Sequence, residues 1–248
     1  AVQAAGAMEA VLTGVQLGSW GKDIGLEIAD LIQAILAETS IPRIRLSSIE
    51  PWDISERLID IWADPRMMGH LHIPLQSGSD KTLSRMNRNI SSLKFSDLLT
   101  MIRAKQADMA ISTDIIVGFP GESEAEFEES FSFIEACQFS RGHVFQYSPM
   151  PFTTAAELPN QVSSTEKKAR SKRLLAHFEA AQAAYNLSQI GQTRSVLFES
   201  HKKGRASGLT PDYQRVFVDT DQNLKNQILP VRLEKLESAD AFLGSFLN

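Results

Sequence analysis

Apolar and polar positions along the first two thirds of the chain follow two alternating periods. Runs at Val11–Val15, Arg43–Ser47, His70–Leu75, Ile111–Gly118 and Gly142–Tyr147 predict strands. Helical spacing separates them. One helix is expected near Ile24–Ala37, with Ile24, Ile28, Leu31 and Ile35 on one stripe, and another near Ile54–Ala63, where Asp53 and Glu56 are spaced as a capping box. Further helices are expected at Ser79–Met86, at Phe95–Ala107, and after a second capping box, Ser123 and Glu126, which turns Phe127, Phe131 and Ile134 inward. Strand, helix, strand at this spacing requires right-handed crossovers and a parallel sheet. Ala1–Ala10 reads as the tail of a helix feeding the first strand, which predicts one more strand upstream and a chain that begins inside a domain.

The last third changes character. Ser163 and Glu166 cap a helix with a Leu174, Phe178, Ala181, Tyr185 stripe, and Lys167, Lys168, Arg170, Lys172 and Arg173 crowd its first turns. Cations there oppose the macrodipole, so either an anionic partner or a solvated face is expected. After Gly191 come short strands at Arg194–Phe198, Arg215–Asp219 and Gln227–Glu234, with Lys202-Lys203-Gly204-Arg205 as a basic turn. The expected organisation is a partial α/β barrel over 1–162, a linker helix over 163–190 and a small β-barrel over 191–248.

The strand faces carry chemistry. Period two places His70, His72, Pro74 and Gln76 opposite Leu71, Ile73 and Leu75; Arg43, Arg45 and Ser47 opposite Ile44 and Leu46; and Ser112, Asp114 and Ile116 opposite Ile111, Thr113, Ile115 and Val117. The apolar faces suit packing under helices, so the polar ones point inward. A closed eight-stranded barrel fills its middle with bulky apolar residues; a polar interior predicts an open barrel lined for a polar ligand. Internal pairing, Arg45 with Asp114, is the alternative use of those charges. The strand ends read Thr13-Gly14-Val15-Gln16, Ser47-Ser48-Ile49-Glu50-Pro51, Gln76-Ser77-Gly78-Ser79, Gly118-Phe119-Pro120-Gly121-Glu122 and Tyr147-Ser148-Pro149. Small residues, hydroxyls, amides and carboxylates at one edge suit a nucleoside-sized ligand.

Composition narrows the class. The chain's net charge is −5, so it is not a basic nucleic-acid binder as a whole, although the segment after Gln189 holds eight basic against seven acidic side chains. No apolar stretch approaches the roughly 20 residues of a membrane helix. Cys137 is the only cysteine, which excludes an internal disulfide or an all-cysteine metal site and points weakly to a reducing, cytoplasmic setting. On a helix beside Phe131, Phe133 and Ile134 it is expected to be a core thiol.

Arg43–Pro51, His70–Asp80 and Thr113–Glu122 resemble the radical SAM methylthiotransferases, and the likeness extends over essentially the whole chain. Ser47-Ser48-Ile49-Glu50-Pro51 is most similar to the branch acting on N6-threonylcarbamoyladenosine at tRNA position 37. The resemblance implies a partial (β/α)6 barrel that uses S-adenosylmethionine and two [4Fe–4S] clusters in the full-length protein, with tRNA as partner and an OB-like TRAM domain at the C-terminus. It also implies that the cluster-binding cysteine loop and an N-terminal domain lie outside this stretch. The stretch itself would then hold no cluster, no metal ligand and no catalytic residue, and would be inactive alone. By the same likeness Gln16, Gln76, Ser77, Val117, Gly118, Phe119 and Tyr147 face the cofactor, while Ser48, Glu50, Asp114, Lys202, Lys203 and Arg205 face the substrate. One departure bears on substrate contact: after Tyr147-Ser148-Pro149 the family has Arg and then Gly-Thr-Pro, where this chain has Met150-Pro151-Phe152-Thr153-Thr154.

Other readings use the same residues. The target could be isopentenyladenosine in tRNA or a ribosomal protein. A non-catalytic RNA-binding protein would use only the C-terminal barrel. A zinc hydrolase would use His70, His72 and Asp114 on their shared face.

Overall fold

The computed structural model describes residues 3–247. The first region runs β1 (Glu9–Leu12), α1 (Ile28–Glu38), β2 (Arg43–Leu46), α2 (Glu56–Asp60), β3 (His70–His72), α3 (Asp80–Arg85), α4 (Ser92–Lys105), β4 (Ala110–Val117), α5 (Glu124–Cys137) and β5 (Arg141–Gln146). All its strand pairs are parallel: β1 lies on β2, and β4 lies between β3 and β5. The two sheets are joined through bridges from Ile44 to Met67 and Ser48 to His72. The surface is therefore an open curve of parallel strands with helices outside it, the partial barrel expected from the alternating pattern.

The outward faces build the core. Leu71, Ile73, Leu75, Ile111, Ile115 and Val117 are fully buried beneath Phe95, Leu99, Ile102, Phe127 and Ile134 of α4 and α5. Burying each such side chain contributes roughly 1.5–3 kcal/mol, and this layer anchors the sheet. The α5 capping box forms as expected: the Ser123 hydroxyl accepts from Glu126 N, and the Glu126 carboxylate accepts from Ser123 N.

Several local expectations are corrected. Among the described residues before β1, the chain makes turns and no helix tail; Ala1 and Val2 lie outside them. Ile24 ends a short 3-10 turn, Lys22–Ile24, and its side chain is exposed; the left-handed Gly25 intervenes, so α1 starts at Ile28. Asp53 caps nothing, because it belongs to a 3-10 turn and pairs with Lys22, while Ser55 caps α2. Strand β3 stops at His72, although its alternation of faces continues to a bridge between Gln76 and Ile115.

After α6 (Thr154–Glu157), α7 (Ser164–Gln189) crosses the back of β5 with its Ser163–Glu166 box intact. Phe178 fills the place a side chain would take at Gly142: a Cβ there would sit 2.2 Å from the ring. The helix docks that closely because position 142 has no side chain. The C-terminal region is a closed five-stranded barrel of β6 (Thr193–Lys202), β7 (Arg205–Leu209), β8 (Arg215–Asp219), β9 (Ile228–Ser238) and β10 (Ala241–Phe246). Strands β7 and β10 were not foreseen, since Arg205–Leu209 and Ala241–Phe246 are short and interrupted by Ser and Gly. Val196, Phe198, Ala206, Val216, Val218, Val231, Leu233 and Phe242 fill its middle.

Candidate functional site

Parallel pairing brings side chains from neighbouring strands to the same level. His70 pairs with Ala110, His72 with Ser112, and Asp114 with His143. Their inward side chains, with Arg45, Ser47, Ser48, Arg141 and Phe145, surround a cavity of about 420 Å³. Its floor comes from elsewhere in the chain. The loop between β7 and β8 sends Tyr213 against His70, ring centroids 5.4 Å apart and stacked, and beneath the Arg45 guanidinium at 4.6 Å.

Arg43 and Arg45 are both 2% exposed, and both are spent on this floor. Arg43 donates to the carbonyls of Leu209 and Ser195 at 3.0 and 2.7 Å, and Arg45 to those of Pro211 and Thr210 at 3.0 and 3.3 Å. Arg45 also forks onto Glu9 at 2.8 and 3.4 Å. The expected Arg45–Asp114 pair is thus replaced: Glu9, on the strand beside β2, reaches the guanidinium first.

Asp114 turns instead to two histidines. Its Oδ2 lies 3.2 Å from His72 Nε2 and its Oδ1 3.0 Å from His143 Nδ1. Burial alone would raise this carboxyl's pKa, but His72 and then His143 outweigh it and hold the group below the usual carboxylate range. Ser112 Oγ sits 2.9 Å from both His72 Nδ1 and His70 Nε2. Burial first, then the charge of Arg45, pushes the His70 pKa down to about 3, so its ring is neutral. The zinc set considered from sequence is corrected accordingly: His70 is taken up by Ser112, and His143 joins His72 and Asp114. The sequence signal for His143 was its place on the last inward-facing strand.

The rim residues are placed as follows. Gln16 is exposed and opens a 3-10 turn. Gln76 takes a left-handed φ of 71° while its backbone spans Asp114 and Ile116. The Ser77 side chain turns away from the cavity, buried with its hydroxyl accepting from Ser79 N and 3.5 Å from Ser130. Val117 and Phe119 are buried. Gly118 has a φ of 73°, its N–H donates to the Glu122 carboxylate at 3.1 Å, and Lys167 lies across it so closely that a Cβ would meet that side chain at 2.3 Å. Lys167 also donates to the Tyr147 carbonyl at 3.0 Å; the Tyr147 ring meets Phe119 edge-on at 5.1 Å, and its hydroxyl is buried without a partner. Ser48 is exposed at the cavity. Glu50 is already paired with Arg88, which stacks over Trp52 at 4.7 Å.

The basic segments are less free than their composition implies. Arg170 is buried against Glu122 at 2.7 Å and Arg173 pairs with Glu128, so these two serve the α5–α7 contact and not an anionic partner. Arg205 is bound by Asp219 at 2.7 Å and Glu237 at 2.8 Å. Lys202 and Lys203 remain exposed at the β6–β7 turn. Among the described residues, no helix is long and apolar enough to cross a membrane.

Comparison with known proteins places this geometry. Residues 2–134 match the family model of the Radical SAM superfamily. The chain is 39% identical over 210 residues to the threonylcarbamoyladenosine tRNA methylthiotransferase MtaB of Thermotoga maritima, covering 84% of this chain and 48% of the relative. It is 36% identical over 214 residues to the tRNA-2-methylthio-N(6)-dimethylallyladenosine synthase of Ehrlichia chaffeensis, with the same coverage of 84% and 48%. It thus spans about half the length of the curated relatives it matches. Among solved structures, the radical SAM coproporphyrinogen III oxidase HemN of Escherichia coli superposes with a TM-score of 0.56 at 12% identity, covering 97% of this chain and 60% of that one. The radical SAM methyltransferase TsrM of Kitasatospora setae superposes at 0.51 with 14% identity, over 62% and 31%.

Proposed function

The chain belongs to the Radical SAM superfamily, and on that premise we propose that it supplies the cofactor-facing rim and substrate-facing hollow of a tRNA methylthiotransferase acting at C2 of N6-threonylcarbamoyladenosine 37. The observation that carries this reading is the polar hollow. A nucleoside-sized space lies inside parallel strands whose glycine- and hydroxyl-rich ends lie at one edge, and both tRNA-modifying relatives match across most of the chain. Ser47-Ser48-Ile49-Glu50-Pro51 favours the threonylcarbamoyl target over the dimethylallyl one.

Iron–sulfur clusters are held by cysteine thiolates. Cys137 is the only cysteine, it is buried on α5, and burial pushes its thiol up to about 12, so it stays protonated and offers a cluster nothing. The residues present do not fit that group. S-adenosylmethionine does fit the rim, where it would bring the reactive sulfonium. The unpartnered Tyr147 hydroxyl, the exposed Gln16 amide and the Gln76 side chain on its left-handed backbone offer donors and acceptors, with the Gly118–Phe119 turn behind them under the Lys167 side chain. Ser48 and Asp114 then face the nucleoside from below, Asp114 as an ionised acceptor. The closed five-stranded barrel would act as the TRAM-type RNA holder, with Lys202 and Lys203 meeting phosphates.

The test is nucleoside mass spectrometry of tRNA from cells whose only methylthiotransferase is the longer protein that carries this chain. Accumulation of 2-methylthio-N6-threonylcarbamoyladenosine supports the reading. Methylthiolation of the dimethylallyl nucleoside transfers it to the other target, and no methylthiolated nucleoside refutes it.

A further inference from the structure

Three donors of two chemical kinds converge inside the hollow, and of these the proposed reaction uses only the Asp114 carboxylate. His72, Asp114 and His143 come from β3, β4 and β5, and their ligating atoms all lie within 4.8 Å of one another. The two histidine nitrogens stand 3.2 and 3.0 Å from the carboxylate oxygens. Donors on a tetrahedral ion with bonds of 2.0–2.2 Å are spaced by about 3.3–3.6 Å. The two histidines approach different oxygens of Asp114, so the three donors, now within 4.8 Å of one another, must draw together by about 1.5 Å at most, which side-chain rotation can supply. We propose that His72, Asp114 and His143 bind one divalent transition-metal ion of the zinc class, leaving a coordination position open to the cavity.

The surroundings suit such an ion. A metal-binding histidine engages its other ring nitrogen in a hydrogen bond that fixes its orientation. Ser112 Oγ does this for His72 at Nδ1, and the same oxygen is steadied by His70 Nε2, each at 2.9 Å. The hydrogen-bond order has two directions. With a neutral His72 donating from Nδ1–H to Ser112, Nε2 presents a lone pair toward the Asp114 carboxylate, an arrangement that a metal ion between them satisfies. With Ser112 donating, Nε2–H donates to Asp114 and no ion is needed. Metal binding would therefore reverse the tautomer of His72. Arg45 is paired with Glu9, so it does not compete for Asp114; Arg141 is the cation that shares the cavity wall. An imidazole and carboxylate donor set selects zinc, cobalt, nickel or ferrous ions as single ions, in contrast to the thiolates that hold clusters. The inference rests on this geometry and stands whether or not the methylthiolation reading holds.

The experiment is titration of chelator-treated chain with Co²⁺ and then Zn²⁺. The expected result is uptake of one Co²⁺ per chain, with the strong visible absorption of a low-coordinate site, displaced by one equivalent of Zn²⁺. Asp114→Asn and His143→Gln should abolish that absorption, Ser112→Ala should weaken binding about 10–100-fold, and His177→Gln should leave it unchanged. Should the variants fail to fold, ring-nitrogen NMR of the unmodified chain decides. Zinc must move the His72 and His143 resonances and convert the His72 tautomer while those of His177 and His201 stay. No stoichiometric uptake of either ion, uptake that survives Asp114→Asn, or shifts confined to the other histidines would each overturn the assignment.

Discussion

In the parallel sheet the inward side chains are Arg45, His70, His72, Ser112, Asp114 and His143, whereas in the closed barrel of β6–β10 they are Val196, Phe198, Val216, Val231, Leu233 and Phe242. Both regions curve strands around a middle, and they use it oppositely. Among the described residues the small barrel is not roofed by helices as the sheet is, only the end of α7 reaching it, so it buries its apolar surface in its interior. The parallel sheet buries its apolar surface on the outside, under α4 and α5, and its inner face is free to carry charge. A hollow lined with polar groups is thus possible where stability is supplied from the other side of the same strands.

The largest expected effect tests that division directly. Phe242→Ala empties a fully buried position in the small barrel and should cost about 3–5 kcal/mol in urea unfolding. His143→Ala in the hollow, where the side chain is half exposed, should change stability by about 0.5 kcal/mol or less. Equal losses would erase the contrast.

Next comes the seam between the regions. Arg45→Met leaves the largely buried Glu9 with only its longer, 3.8 Å contact to Arg43 and frees the Thr210 and Pro211 carbonyls, at a cost of about 3 kcal/mol. Calorimetry should then resolve two transitions in place of one, because the hollow and the small barrel lose one of the two buried arginines that tie them. A single transition at unchanged temperature would show that Arg43, the His70–Tyr213 stack and α7 couple them without Arg45.

A smaller effect belongs to the helical layer. Hydrogen bonds from Arg85, then Ser123, hold the Glu126 carboxyl below its usual range despite burial. A carboxylate depressed in the folded state contributes stability in full above its unfolded pKa near 4.5, and loses it as pH falls through the folded value. Glu126→Gln should therefore cost about 2 kcal/mol at pH 7, with the two proteins converging in acid. A constant gap from pH 7 to pH 2 would contradict the assignment.

What was legible in the sequence follows from range. Period two tells which side chains share a face, so the inward row of His70, His72, Ser112 and Asp114 was readable, as were the Ser123–Glu126 and Ser163–Glu166 boxes, whose partners lie three residues apart. Partner choice across the fold was not. Arg45 takes Glu9 because parallel pairing puts Val11 beside it and the loop after β7 beneath it, facts that no local pattern contains. Arg170 and Arg173 looked like a free basic face until the turn before α5 brought Glu122, and α5 itself Glu128, against them. Ser77 was read as a rim hydroxyl, but the chain turns after the left-handed Gln76 and buries it against Ser130.

The stacked Tyr213 and the carbonyls of residues 209–211 have a consequence for how the molecule is made. They arrive late in translation, long after β1–β5 have left the ribosome. Until that point the nascent sheet holds two guanidinium groups, on Arg43 and Arg45, facing an open end that water can enter. Sealing of the hollow therefore waits on the segment that follows β7, and a polypeptide released before residue 209 would leave the two arginines without the carbonyls of residues 209–211 and the pocket without its Tyr213 floor.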